Sequence, residues 1–557
     1  MKKQILYFFA LVALVLSACG GGGGTAPAGE EPSSQEGSGG TPSIARIGWA
    51  GSPDSLNPGM GVLVEAYTIY ELVYDSMYEL NLDGSFTLNL ADSVERSDDG
   101  LVYTYTIKDG IKWHDGEALT AEDVAFTYNL YKDTPEYAYL NGYYTTYFDT
   151  IEVDGNKVIL TLTEAIPNIE SQLVFLYVLP KHIWENVDKL EYENFEMIGS
   201  GPFKMKEYAQ NEFVHLVANK DHFATPPKVD EIIFQTFENQ DALVQAIKTG
   251  QVDMITEMPN TAVAALKNSE NVEVVVGSPL APGVTDIIFN QLEEENCPEG
   301  GICSGHPALR DRNVRLALAH ATDKQKIIDV ILLGLGSPGL TLIPDGLGVW
   351  YNNSLKDYEF DTAKANQILD DAGYKDKDGD GIRDMPDGSR PLTFRMNWPS
   401  DSLTAPRMAE LLSEMWGEVG VSLEMQAVDP DALTAQCCPA FDFDIMLWGW
   451  GSDPDPSALL YVYTSEAIPS GSSETGYSNP AYDELYTKQQ TTLDFDARKS
   501  IVWDMQKMVF DDVVYIIPFY EQNTEAFRTD RFTGWITDQP KVELADVTSL
   551  VAIEPVK

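Results

Sequence analysis

The chain has 557 residues, 44% of them hydrophobic and 22% charged, enough for two or three lobes with large cores. Its formal net charge of −50 repels phosphate backbones and anionic lipid surfaces, which excludes nucleic acid as an expected partner. The acidic residues are spread along the chain, as a solvated acidic surface requires.

In chain order the first element is "MKKQILYFFALVALVLSACG", with two lysines, an apolar run from Ile5 to Leu16, and Leu16-Ser17-Ala18-Cys19. The run is too short to span a bilayer comfortably and fits a secretory leader over residues 1–18. The L-S-A-C ending resembles the lipobox of bacterial lipoproteins, which implies cleavage before Cys19 and thioether lipidation of that residue. Residues 19–42 are rich in Gly, Pro and Ser without apolar periodicity, so a flexible tether is expected. A coil of that length spans on the order of 25 Å. The folded part is expected to begin near Ser43.

From there short strands and helices alternate, which points to an α/β architecture. "LVYTYTIK" (101–108) and "KVILTLTE" (157–164) alternate with period two and read as strands. Thr120 is placed to N-cap a helix running to about Tyr131. "VRLALAHATDKQKIIDVILLG" (314–334) reads as a long helical stretch broken near Thr322. "GLGSPG" (334–339) matches a dinucleotide fingerprint literally, but it follows a helix and precedes no second one, so it reads as a turn. Met408, Leu411, Leu412 and Met415 share one face of a helix over 406–417. The histidines are scattered without an HExxH pattern, G-x-S-x-G is absent, and His114 reads as a structural turn residue, so nothing supports catalysis.

Besides Cys19 there are four cysteines, and four allow three pairings. Cys297 and Cys303 share the Gly-rich loop "CPEGGIC" and are the favoured pair, a closure contributing roughly 2 kcal/mol. The adjacent Cys437 and Cys438 cannot easily both ligate one tetrahedral zinc.

"DKDGDGIRDMPDG" (376–388) has EF-hand-like spacing. Asp376, Asp378 and Asp380 hold positions 1, 3 and 5, Gly381 the sharp turn, Ile382 a carbonyl at 7, Asp384 position 9 and Asp387 position 12. These carboxylates repel one another unless a hard cation sits among them, so a bound calcium ion is expected. Asp387 is shorter than the usual Glu. A helix precedes the loop and a strand, "RPLTFRMNW", follows it, so the ion would stabilise rather than signal.

"FDIMLW" (443–448) reads as a strand, and "GWGSDPDP" leaves its C-terminal end. Asp455 and Pro456 fit the N-cap and first position of a short helix. Asp453 has no such role. Ligands of open α/β sheets sit beyond strand C-termini, where a carboxylate beside an indole can hold a cation. An Asp-Pro turn with both tryptophans in the core is the other reading of these residues.

At these positions the chain resembles the family 5 extracellular solute-binding proteins, the receptors of ABC importers. The resemblance runs from about Ile44 to the C-terminus. It is carried by "LADSVERSDDGLVYTYTIKDGIKWHDGEALTAEDVAFTYN" (90–129), "GSGPFKMKEY" (199–208), "ALVQAIKTGQVDM" (242–254) and "DRNVRLALAHATDKQKI" (311–327), in the expected order. It implies a two-lobed, periplasmic-binding-protein-like trap with an enlarged, subdivided first lobe. Lobe I would span 43–285, completed by 518–557, and lobe II 286–517. It also implies a monomeric, non-enzymatic lipoprotein on the outer face of the cell membrane, delivering peptides to a permease. In peptide-binding members a G-W-x-x-D turn supplies the aspartate that pairs with the ligand's α-ammonium. Gly449-Trp450-Gly451-Ser452-Asp453 matches it, which assigns the amine to Asp453, a pocket wall to Trp450, and Gly451 and Ser452 to the same turn. The dipeptide branch pairs the ligand carboxylate with an arginine upstream of the "RMAE" helix. Here Pro399 stands near that position, which argues against strict dipeptide selection. An oligosaccharide or metal chelate is the alternative solute within the family. A calcium-dependent surface hydrolase is the alternative outside it.

Overall fold

A computed structural model of the chain describes residues 42–137, 140–279, 282–438, 440–537 and 541–557. The expected leader, Cys19 and the tether up to residue 41 lie outside the described residues. Two large mixed sheets organise the rest. The first runs, edge to edge, Val272–Gly277, Asn523–Arg528, Met254–Ile255, Ile44–Trp49, Glu231–Thr236, Phe213–Ala218 and Phe203–Ala209. The second runs Gly336–Ser337, Tyr515–Glu521, Val284–Phe289, Ile445–Trp450, Thr393–Pro399 and Ser422–Val428. A four-stranded antiparallel sheet, Ala91–Arg96, Val102–Ile107, Lys157–Leu162 and Phe148–Asp154, shares an apolar core with the first and subdivides that lobe.

Sequence pattern accounts for the elements. In Val102–Ile107 every second residue is buried, so Tyr103, Tyr105 and Ile107 reach the core. The helix Ala121–Asp133 starts where the Asp123 carboxylate accepts the Thr120 N–H (2.8 Å) and hydroxyl (3.0 Å). The long stretch over 314–334 divides into Arg312–His320 and Lys324–Ile331, because Asp323 caps the second helix through the Lys326 N–H at 2.9 Å. The helix Ala405–Gly417 buries Met408, Leu411, Leu412 and Met415 together. "GLGSPG" supplies only the edge strand Gly336–Ser337, so it builds no nucleotide loop. His114 is structural: its Nδ1 accepts the Gly199 N–H at 3.1 Å, and burial pushes its pKa down to about 4.

The central strands of the second sheet are buried on both faces. Ile287 and Phe289 face one core with Ile445 and Leu447, while Val284, Ile288 and Met446 face the other. That two-sided burial explains the unbroken apolar run of "FDIMLW". The strand ends at Trp450, two residues later than the sequence pattern predicts.

The chain changes sheet between Gly277 and Val284 and again between Glu521 and Asn523. The boundaries expected at 285/286 and 517/518 fall inside Val284–Phe289 and Tyr515–Glu521, strands that belong wholly to the second sheet. Cys297 is bonded to Cys303 and Cys437 to Cys438. The first loop lies against the second pair, since the Ile302 and Cys303 N–H groups donate to the Ala440 carbonyl.

The short helix Ser457–Tyr461 has Pro456 at its N-cap, one residue later than expected, and Asp455 accepts the Ser457 N–H at 2.9 Å from just outside it. Its carboxylate also receives both Arg498 Nη atoms, at 2.6 and 2.9 Å, in a pair that is almost fully buried. Trp350 covers the guanidinium at 4.8 Å. Removing one partner strands a buried charge. Asp455→Ala is therefore expected to lose about 3–5 kcal/mol in urea unfolding, and Asp455→Leu with Arg498→Met far less.

Candidate functional site

Where loops of the two sheets meet, a cavity of ≈ 530 Å³ opens. One wall is a single face of the helix Val64–Val73, since Val64, Tyr67, Thr68 and Glu71 are spaced i, i+3, i+4 and i+7. The Asp54 carboxylate fixes the start of that helix by accepting the N–H groups of Val62 and Leu63 at 3.0 and 3.2 Å. Glu543, Ala545 and Asp546 add a second wall, just ahead of the helix Val547–Ala552, whose Thr548 N–H Asp546 caps at 2.7 Å. Tyr144 and Phe175 contribute aromatic surface, and Pro279 marks the crossing between sheets. From the second sheet come Ser452, Asp453 and Pro454, directly beyond the C-terminal end of Ile445–Trp450.

The predicted turn is thus divided. Ser452 and Asp453 line the cavity, and the Ser452 hydroxyl donates to the Pro282 carbonyl at 2.6 Å, tying the turn to the crossing segment. Gly451 is not among the lining residues, and a Cβ there would meet open space. Trp450, expected as a wall, is not among the lining residues. Because the strand continues through it, its side chain packs with the second lobe's core, and its indole N–H donates to Glu474 Oε2 at 2.8 Å. Glu474 also accepts the Tyr515 hydroxyl at 3.1 Å, and burial pushes its pKa up to about 7. Asp286, fully buried, faces the same group, and burial followed by the charge of Glu474 pushes its carboxyl well above the ordinary range.

Electrostatics give the cavity its character. Among the described residues its lining holds four carboxyl groups, those of Glu71, Asp453, Glu543 and Asp546, and no Lys, Arg or His. Burial, then the charges of Asp546 and Glu543, push Glu71 up to about 8. Among the described residues its one short-range donor is the Tyr177 hydroxyl at 3.4 Å. Burial likewise raises Asp546. A set of carboxyl groups held partly out of water is stabilised by a cation placed among them. Apart from the turn, none of these residues was singled out from sequence. The spacing of Val64, Tyr67, Thr68 and Glu71 was the available signal.

The acidic loop is elsewhere. Carboxylate oxygens of Asp376, Asp378 and Asp384 lie within 4.8 Å of one another. Asp380 and Asp387 stay outside that group and accept the N–H groups of Ile382 (2.8 Å) and Ser389 (2.9 Å). The Asp376 carboxylate takes the N–H groups of Gly379 and Gly381 at 2.7 and 3.0 Å, which shapes the turn. Gly381 sits at φ +92, a conformation that favours glycine, as its position in the loop anticipates.

The family described as "Bacterial extracellular solute-binding proteins, family 5 Middle" matches residues 85–470. The oligopeptide-binding protein AppA of Bacillus subtilis (strain 168) is 28% identical over 526 residues, covering 92% of this chain and 92% of AppA. Its structure in complex with a nonapeptide aligns with a TM-score of 0.64, over 92% of this chain and 99% of that one, at 26% identity. The dipeptide-binding protein of Escherichia coli (strain K12) is 24% identical over 516 residues, covering 88% of this chain and 91% of its own. HbpA2 from Haemophilus parasuis shares the fold, with a TM-score of 0.78 at 21% identity over 92% of this chain and 100% of that one. The two-lobed α/β architecture is common to them. With the match extending over more than half of its length, the chain belongs to the family 5 bacterial extracellular solute-binding proteins.

Proposed function

We propose that this protein is a non-enzymatic, monomeric receptor that captures peptides between its lobes and delivers them to the permease of an ABC importer. It works outside the cytoplasm, held on the outer face of the cell membrane by a lipid on Cys19. The observation that carries the peptide reading is the cavity lining. Asp453 stands on the family's turn beside three further carboxyl groups, with no cationic side chain and with aromatic walls. Such a lining suits an α-ammonium group followed by a chain of mixed polarity. The relatives named as oligopeptide- and dipeptide-binding proteins support the same reading. Contacts to both lobes would favour the closed form, and a permease that recognises both lobe surfaces would then accept the loaded receptor.

Calorimetric titration with free-amine and N-acetylated pentapeptides tests the anchor. A charge-assisted hydrogen bond contributes about 1.5–3 kcal/mol, so Asp453→Asn is expected to weaken free-amine peptides by ~10- to 150-fold. N-acetylated peptides should bind both proteins alike. Equal losses for the two peptide classes would remove the amine role of Asp453.

We infer a structural calcium ion in the loop over 376–387. The spacing of the Asp376, Asp378 and Asp384 oxygens supports it, being compatible with bonds of about 2.3–2.6 Å to one ion. Chelator is expected to lower the melting temperature of the wild-type protein by several degrees and to leave an Asp376→Ala, Asp378→Ala variant unchanged. An unshifted wild type would refute the ion.

A further inference from the structure

A recess of ≈ 220 Å³ opens beside the cleft and shares Glu71, Leu80, Phe175 and Asp546 with it. We propose that this recess selects a basic side chain of the bound peptide, arginine above all, with Glu71 and Asp546 as its partners. The inference rests on the peptide reading and adds a specificity to it.

Among the described residues the lining holds no Lys or Arg, and its one basic group is His222. The side chain of His222 is only 6% exposed. Its Nδ1 faces the Thr225 carbonyl at 3.3 Å, which assigns the proton to that nitrogen. Nε2 is buried and makes no hydrogen bond, standing 3.6 Å from Asp75 Oδ1. The carboxylates of Glu71, Asp75, Glu79 and Asp546 in the lining are acceptors. Asp75 already accepts from Ser200 Oγ at 2.7 Å and Asn89 Nδ2 at 3.0 Å. Glu71 has the single 3.4 Å contact from Tyr177. A group that brings several N–H donors and a positive charge suits these carboxylates. A guanidinium offers five N–H groups in a rigid fork, and an ammonium three. Tyr78, Phe175 and Tyr177 line the recess, apolar surface against which the methylene stem can lie. The raised pKa of Glu71 is consistent with a carboxyl group that lacks such a partner.

The test is calorimetric titration of the wild-type protein with alanine pentapeptides carrying one arginine, or one citrulline, at each position in turn. Citrulline keeps the shape and removes the charge. At one position arginine is expected to bind at least thirtyfold more tightly than citrulline, and Glu71→Gln to reduce that ratio below threefold. If all-alanine pentapeptides bind but arginine and citrulline are equal at every position, the recess is not selective and the proposal fails alone. If no pentapeptide binds, the peptide reading fails and takes the proposal with it. A ratio that survives in Glu71→Gln would remove Glu71 from its assigned role.

Discussion

Among the described residues the chain passes between its two large sheets only twice, between Gly277 and Val284 and between Glu521 and Asn523. This constraint decides where a solute can be held. Each sheet keeps its hydrogen-bond ladder on its own side, so relative motion can be taken up in a few linking residues without breaking a strand. A solute in the seam touches both bodies, and only such a solute can favour one arrangement over another. The cavity lies at that seam, with Pro279 in its lining and Ser452 bonded to Pro282.

The turn after Ile445–Trp450 shows how a flexible-looking sequence becomes a fixed site. Its two aspartates stand two residues apart and do opposite things. Asp455 is buried against Arg498, which arrives from the helix Phe495–Asp511 and is itself held by Gln489 and Ser457. That network sets the exit of the turn, while Ser452 and the strand set its entry. Asp453, between them, lines the cavity. Holding a charged group in position before the ligand arrives lowers the ordering cost of binding.

Much of this architecture was legible in local pattern. Period-two alternation marks Val102–Ile107, a capping box marks Ala121–Asp133, and Asp323 ends one helix and starts another. What sequence alone could not supply depends on partners far away. Trp450 reads as a pocket wall until Glu474, 24 residues on, claims its indole. Asp455 reads as a cap, and its larger role waits on Arg498, 43 residues away. Glu71 sits on a helix buried on one face by the core and on the other by the cavity, so its apolar periodicity is blurred. In the acidic loop spacing gave the positions, but only Asp376, Asp378 and Asp384 bring their oxygens together.

The acidity of the chain works at two ranges that should be kept apart. A net charge of −50 draws cations of every kind, but solvent screens it beyond about 8 Å at physiological salt. It can speed encounter and cannot distinguish one ammonium from another. Discrimination has to come from carboxyl groups taken out of water, where geometry matters and screening is weak. Glu71, pushed up to about 8 by burial and by Asp546 and Glu543, is such a group. A carboxyl group raised that far keeps its proton at neutral pH. On the proposed specificity, a cationic side chain would compete with that proton for the same oxygens, and its binding would favour ionisation of Glu71.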